Sequence, residues 1–328
     1  MSTSLLFQGD SAVFAVGVAM AAGPPFVVIL GPTASGKSAL AMAVARQLGG
    51  EILTVDSMQV YRGMDIGTAK PTTAEQAEVP HHLLDVVDPW EEFTVARFVE
   101  LADGVISDAA RRGVPLIATG GTPLYYKALF EGLFEGPGAD PDIRARLNAT
   151  PAAELYERLK QVDPQAASRI HLNDQKRLVR ALEVFELTGQ PITSFQTHWT
   201  QPQARHRATW IGLDWDKDAL NRRINARCKS MIADGWYEEV RRLLAAGRPL
   251  SKTAGEATGY RELIACARGE MSTDDAVEQI KIATRQLARR QMKWFRRFPG
   301  VSWLRGDQDP SALVGQAIQC IAATPQKP

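Results

Sequence analysis

Four residues, Gly31, Gly36, Lys37 and Ser38, fit the spacing G-x-x-x-x-G-K-[ST] inside the stretch GPTASGKS. Glycine at these positions lets successive backbone N–H groups turn inward onto phosphate oxygens. The helix that follows adds the positive end of its dipole, a lysine neutralises charge, and a serine hydroxyl can reach a Mg2+ ion. The pattern marks a phosphate-holding loop without deciding between a triphosphate and a diphosphate. A second cluster, VDSMQVYRGMDIGTAKP over residues 55–71, places Asp56 near its start. A carboxylate at the C-terminal end of a strand beside such a loop can bind Mg2+ or act as a general base, and it can also simply cap a helix. A third cluster, TGGTPLYYKAL over residues 119–129, sets two glycines and Thr122 before a helix. That makes a second donor-rich helix end, or an ordinary N-cap.

Basic residues form two further patterns. In HLNDQKRLVRALEV, Lys176, Arg177 and Arg180 occupy the first two turns of an amphipathic helix. Positive charge there opposes the helix dipole at a cost of up to about 1 kcal/mol each, which an external polyanion would offset; the alternative is an ordinary solvated charged face. Lys281, Arg285, Arg289, Lys293 and Arg297 repeat every four residues, and the segment 281–297 contains no acidic side chain. A phosphate-tracking helix face is the expectation, with Trp294 and Phe295 nearby. His81 and His82 are adjacent, and neighbouring side chains of an extended chain point apart, so they are not read as a metal site.

Elements able to position these residues follow from apolar patterning. FVVIL (26–30), EILTV (51–55) and VPLIAT (114–119) are short β-branched runs ending at polar or glycine-rich turns, and SALAMAVARQL (38–48) is helical and closes on two glycines. Strands alternating with helices imply a parallel sheet covered on both faces. The break at GPGADPD near residue 136 opens a wholly helical stretch to about residue 188, and a second break at TQPQARHR (200–207) precedes another strand, ATWIGLDW. Basic helices near 217–246 and 273–297 lead to a last strand, VSWL. The expected fold is α/β: a P-loop NTPase-like parallel sheet core with an inserted all-helical domain and basic C-terminal helices. The boundaries are an extension over 1–24, the first part of the core over 25–135, the helical insertion over 136–205, core completion with basic helices over 206–310, and a C-terminal segment over 311–328.

With 45% hydrophobic and 23% charged residues, the chain is composed for a buried core rather than for disorder. Its net charge of +1 conceals the basic C-terminal run. Cys228, Cys266 and Cys320 lie far apart, which suggests neither a zinc site nor a disulfide framework and fits a reducing cytoplasm. Residues 11–30 carry no charge, yet no basic residue precedes Lys37 and Gly23, Pro24 and Pro25 interrupt the run. Neither a signal peptide nor a membrane span is expected. Met20 is read as the natural start, with residues 1–19 upstream of it.

In order along residues 26–305, GPTASGKS, VDSMQVYRGMDIGTAKP, PHHLLDVVDP, GGTPLYYKALFEGL, HLNDQKRLVRALEV and TRQLARRQMKWFRR together resemble the tRNA dimethylallyltransferases, also called tRNA isopentenyltransferases. The resemblance implies transfer of a dimethylallyl group from dimethylallyl diphosphate to N6 of the adenosine on the 3′ side of the anticodon, in tRNAs that read codons beginning with U. It implies Asp56 as the base, and Gly31, Pro32, Thr33, Ala34, Ser35, Gly36, Lys37 and Ser38 as the cradle of the diphosphate, with Mg2+ on Ser38. Arg223 joins that cradle. The same resemblance implies that Thr122 contacts tRNA near the reacting centre, that Arg144 also touches tRNA, and that Lys176, Arg177, Leu178, Val179 and Arg180, together with Asp56, Ser57, Met58 and Gln59, form more of the tRNA surface. The implied partners are the anticodon stem-loop of tRNA and the prenyl donor, with the enzyme acting as a monomer. Thr258 departs from the family pattern, which has an aliphatic residue before Gly-Tyr, and the N-terminal extension has no counterpart. The alternatives are a P-loop kinase using ATP, a prenyltransferase acting on free AMP, ADP or ATP, and an RNA-binding protein with a relict loop. Intact Lys37, Ser38 and Asp56 argue against the last, and MQVYRGMDIGTAKP with the long basic helices against the second.

Overall fold

Phe26–Leu30 (β1) sends alternate side chains to opposite sides, as a strand buried on both faces must. Val28 and Leu30 enter one core, whereas Val27 and Ile29 enter another. The fold is known from a computed structural model that describes residues 24–132, 136–195 and 205–324. The proposed start at Met20 and the residues before it lie outside the described residues.

After β1 come α1 (Lys37–Leu48), β2 (Glu51–Thr54), α2 (Thr73–Glu78), β3 (His81–His82), α3 (Val95–Arg112), β4 (Leu116–Thr119) and α4 (Pro123–Glu131). Four helices follow, α5 (Pro141–Ala149), α6 (Ala152–Val162), α7 (Pro164–Ala167) and α8 (Gln175–Thr188), and a 3-10 turn at Ile192–Phe195. The sheet resumes with β5 (Thr209–Asp214). Then come α9 (Lys217–Ala233), α10 (Trp236–Ala245), α11 (Lys252–Gly255), α12 (Tyr260–Ala267), α13 (Thr273–Phe295), β6 (Ser302–Arg305) and α14 (Pro310–Ala323). The six strands are parallel in the order β3-β2-β4-β1-β5-β6. Because β2, β4 and β1 are neighbours, the loops that leave their C-terminal ends share one edge. Those loops carry Asp56, Thr122 and the GPTASGKS segment.

Two expectations need correction. The helix read over 217–246 is two helices, because Gly235 takes φ 99° and turns the chain between α9 and α10. The four-residue stripe on α13 does not face outward along its length. Lys281 is buried and pairs with Glu278 at 2.6 Å, and Arg285, half-buried, bonds Asn225 at 2.8 Å. A four-residue repeat drifts round a helix of 3.6 residues per turn, so the stripe starts in the core, and Arg289, Lys293 and Arg297 are its exposed members.

The helices α5–α8 enclose their own apolar cluster, which includes Leu147, Leu155, Leu159, Leu178, Leu182 and Ile192. The chain comes back to the sheet at Arg205 and His206, both bonded to Asp103 of α3, at 2.5 and 2.8 Å. The last helix, α14, packs against α1 over Ile29, Leu313, Ala317 and Ile321 and covers the second face of the sheet. His81 and His82 are structural: His81 Nδ1 meets the Val79 carbonyl at 2.7 Å and His82 Nε2 meets Glu51 at 2.8 Å.

The segment GMDIGTAK is held by two buried charges. Glu239 of α10, 2% exposed, accepts the backbone N–H groups of Asp65 at 2.9 Å, Ile66 at 2.7 Å and Gly67 at 3.3 Å, and the Tyr260 hydroxyl at 2.6 Å. Lys70 reaches inward to the Tyr61 carbonyl at 2.8 Å and to Asp65 and Asp85, each at 2.6 Å. Replacing Glu239 with Leu leaves three backbone donors without an acceptor. We expect Glu239→Leu to lose about 3 kcal/mol or more of stability in urea unfolding, and an unchanged midpoint would mean that the loop is held by other contacts.

Candidate active site

The turn before α1 needs two residues in the left-handed region, Ala34 at φ 65° and Gly36 at φ 89°. No side chain caps α1, so its first-turn N–H groups are left for an anion. Lys37 donates to the Pro32 carbonyl at 3.4 Å across the turn. Arg223 donates to the Ala34 carbonyl at 2.9 Å while its guanidinium lies 4.6 Å from the Trp215 ring, and Trp215 Nε1 holds the Ser35 carbonyl at 2.9 Å. Arg227, one turn further along α9, bonds the Thr33 hydroxyl. Burial, aided by the charge of Arg227 and opposed by that of Asp56, lowers Lys37 to about 8. Burial likewise lowers Arg227. Three cations thus converge on one loop at a cost in desolvation and repulsion, the arrangement expected where a polyanion supplies the balancing charge.

Asp56 lies half-buried just beyond β2. Its Oδ1 accepts the N–H groups of Met58 at 2.8 Å and Gln59 at 3.4 Å, and its Oδ2 accepts Gly121 N–H at 3.1 Å. It is therefore fixed by two separate loops. Thr122 stands at the N-cap of α4 but makes no capping bond with its side chain. Its hydroxyl instead accepts Ser57 N–H at 2.9 Å and lies 3.1 Å from the Ser57 hydroxyl. Gln59 Nε2 donates to the carbonyls of Thr68 and Ala69 at 3.0 and 3.1 Å, tying GMDIGTAK to the same edge.

A cavity of about 410 Å3 joins these groups, lined by Lys37, Ser38, Asp56, Thr122 and Arg227 on its polar side and by Met231, Trp236 and Leu287 among its apolar walls. A recess of about 420 Å3 adjoins it at the phosphate loop, bounded by Gly36, Arg223 and Arg227, and the two share Lys37, Ser38, Ala69 and Arg227. An anion in the recess would meet an acceptor in the cavity directly. Thr258 also lines the cavity.

The residues assigned to α8 divide by exposure. Lys176 and Arg177 have side chains 78% and 63% exposed, and Lys176 reaches Glu256 at 3.1 Å across the cleft between the helical unit and the sheet. Leu178 and Val179 are core residues of the helical unit, which corrects their place among the surface residues, since their side chains are closed to any ligand. Arg144 and Arg180 converge on Glu183, which is fully buried, at 2.8 and 2.6 Å. Glu183 also accepts Asp140 N–H at 2.8 Å, and Arg180 bonds the Pro137 carbonyl at 2.7 Å.

Sequence reasoning missed Arg227, Gln291, Glu183 and Glu239. Arg227 was open to detection, since it follows Arg223 at the i,i+4 spacing of one helix face. Gln291 and Glu239 bond backbone N–H groups 258 and 174 residues away, at Thr33 and Asp65, and Glu183 joins its i,i+3 partner Arg180 to Arg144, 39 residues away, so no local pattern announces the part each plays.

Among the described residues no group of three or more His, Cys, Asp or Glu side chains converges to hold a metal. Oxygens beside the phosphate loop that line the cavity include those of Ser38, which is exposed, and of the Asp56 carboxylate. That donor set suits a hard cation carried in largely by substrate phosphates and water, as Mg2+ usually is, and not a resident metal cage.

The sequence matches the family described as IPP transferase over residues 59–298 and that described as isopentenyl transferase over residues 25–85. A tRNA dimethylallyltransferase of Geobacter metallireducens is 50% identical over 282 residues, covering 85% of this chain and 91% of that protein. The structure is similar to the tRNA isopentenylpyrophosphate transferase of Bacillus halodurans, with a TM-score of 0.67 and 36% identity over 90% of this chain and 96% of the other. It is also similar to a eukaryotic dimethylallyltransferase acting on tRNA, with a TM-score of 0.74 and 28% identity over 90% of this chain and 77% of the other. With a P-loop NTPase-like sheet, an aspartate fixed beside its phosphate loop and relatives of this kind over nearly its whole length, the chain belongs to the tRNA dimethylallyltransferase family.

Proposed function

We propose that the protein transfers a dimethylallyl group from dimethylallyl diphosphate to N6 of the adenosine 3′ to the anticodon, in tRNAs reading codons beginning with U, and releases diphosphate. The observation that carries this reading is the shared boundary of the two cavities. A diphosphate on the cationic loop would place its allylic carbon towards the chamber that contains Asp56. N6 of adenine is a poor nucleophile because its lone pair is delocalised into the ring. As N6 attacks C1 of the donor, the C–O bond breaks, its electron pair leaves with the diphosphate, and the N6 proton passes to Asp56. The N–H groups of α1, Lys37, Arg223 and Arg227 face the charge that grows on the leaving group. Mg2+, held by Ser38 and the diphosphate, would add Lewis-acid stabilisation of that charge. Asp56 keeps lone pairs for the proton because its two oxygens accept only three backbone donors. Thr122 and Ser57, bonded to each other, offer hydroxyls at the chamber wall for the incoming nucleotide.

The target base must leave its stack to enter the chamber, and an unpaired anticodon loop keeps that cost to a few kcal/mol. The helical unit formed by α5–α8 serves as the clamp on the stem-loop, with Lys176, Arg177, Arg144 and Arg180 towards the RNA. The same reading makes the enzyme a monomer of the cytoplasm. Among the described helices none is long and apolar enough to cross a membrane.

Radiolabelled dimethylallyl diphosphate offered with Mg2+ and unmodified tRNA, AMP and ATP together should label tRNA alone. Label in AMP or ATP would move the protein to another acceptor class, and ATP turnover without transfer would overturn the reading. Asp56→Asn should slow transfer roughly 10²-fold or more while tRNA still binds, and an unchanged rate would remove Asp56 as the base. The double change Lys176→Ala with Arg177→Ala should lower the slope of log affinity for tRNA against log salt by about 1 to 2, because both side chains are free of the buried Glu183 network. An unaltered slope would return them to an ordinary solvated face.

A further inference from the structure

Gln291, on the buried face of α13 and 5% exposed, lies between the two glycine loops of the site. Its Oε1 accepts the N–H of Thr33 at 2.8 Å, and its Nε2 donates to the carbonyl of Gly121 at 2.7 Å. The N–H of that same Gly121 donates to Asp56 Oδ2 at 3.1 Å. One unbroken path of hydrogen bonds therefore runs from the phosphate loop, through a single carboxamide and a single glycine, to the carboxylate. The path has strict chemical requirements. Position 291 must offer an acceptor and a donor together, so an ionised Glu lacks the donor, Lys and Arg lack the acceptor, Leu lacks both, and Met has no donor and only a weak acceptor in its sulfur. Gly121 must have no side chain, since a Cβ there would lie 2.8 Å from Gln291 Nε2 and 3.0 Å from Asp56 Oδ2. The frame that carries the carboxamide is rigid, with Ala288 and Phe295 buried on either side of it in α13.

We propose that Gln291 is a positioning residue for the transfer: it fixes the separation of the phosphate loop from Asp56, and so the alignment of the base with the departing diphosphate. The inference rests on the prenyl-transfer reading above, and the experiment separates the two. Wild-type protein is assayed first with labelled dimethylallyl diphosphate and unmodified tRNA, and failure of transfer there overturns the reading itself. With transfer established, Gln291→Met keeps the buried volume and removes both hydrogen bonds. It is expected to slow single-turnover transfer about 10²-fold, the scale of a misplacement of about 1 Å, with affinities for tRNA and for dimethylallyl diphosphate within about threefold of wild type. Gly121→Ala, which pushes on both bonds from the other side, should also slow transfer without loss of binding. In the Asp56→Asn background Gln291→Met should change the residual rate less than about threefold, because the group it positions is gone. A wild-type rate in Gln291→Met, or in Gly121→Ala should the first variant fail to fold, would overturn the inference. So would a loss carried by weaker donor binding, or a full multiplicative loss in the double variant.

Discussion

The carboxylate of Asp56 is held by N–H groups from two loops at once, those of Met58 and Gln59 on its own side and that of Gly121 on the other. This cross-loop bond depends on the pairing of β2 with β4, in which Thr54 lies opposite Thr119 and the chain continues in register to Val55 N–H on the Thr119 carbonyl at 2.8 Å. A shift of one residue in that register would turn Asp56 to the opposite face of the sheet. The chemistry of the site thus rests on strand order and register before it rests on any loop. β1, on the far side of β4, brings the phosphate loop to the same edge by the same geometry.

The charge distribution around that carboxylate is deliberately unbalanced. Lys37, Arg223 and Arg227 crowd the phosphate loop, and the carboxylate whose charge acts on both Lys37 and Arg227 is that of Asp56. Three buried charges elsewhere are satisfied. Glu239 has four donors, Lys70 has three acceptors, and Glu183 has two guanidinium groups and a backbone N–H. On the proposed reading the loop gives up stability for binding, since a substrate diphosphate would relieve the repulsion that folding alone leaves in place.

Much of this was legible in the sequence because it is local. Strand, glycine turn and helix lie within 23 residues of one another in the stretch from Phe26 to Leu48, and the motifs around Asp56 and Thr122 follow other β-branched runs. What escaped was non-local. Gln291 sits 258 residues from Thr33, and a glutamine in a basic helix has no feature that announces a buried carboxamide. The basic stripe of α13 misled for a related reason: its spacing is visible, but the face that meets the core is decided by Ile280, Ala288 and Phe295. Lys281 therefore turned inward. Leu178 and Val179 were carried along with their charged neighbours, although the period of an amphipathic helix places them on its apolar side.

Glu183 changes how the helical unit should be understood. Arg144 and Arg180 are tied to one fully buried carboxylate, so part of their charge is already neutralised and their guanidinium planes are set in direction. Lys176 and Arg177, and the exposed arginines and lysine of α13, keep long flexible side chains in water. The flexible group suits long-range attraction to a phosphate backbone, which screening weakens and geometry hardly affects. The fixed pair suits short-range orientation, because a guanidinium held in one plane loses little entropy on meeting a phosphate. A surface built this way can gather a polyanion with one set of cations and orient it with another. The tie from Lys176 to Glu256 across the cleft places the first set beside the wall of the chamber where the base must arrive.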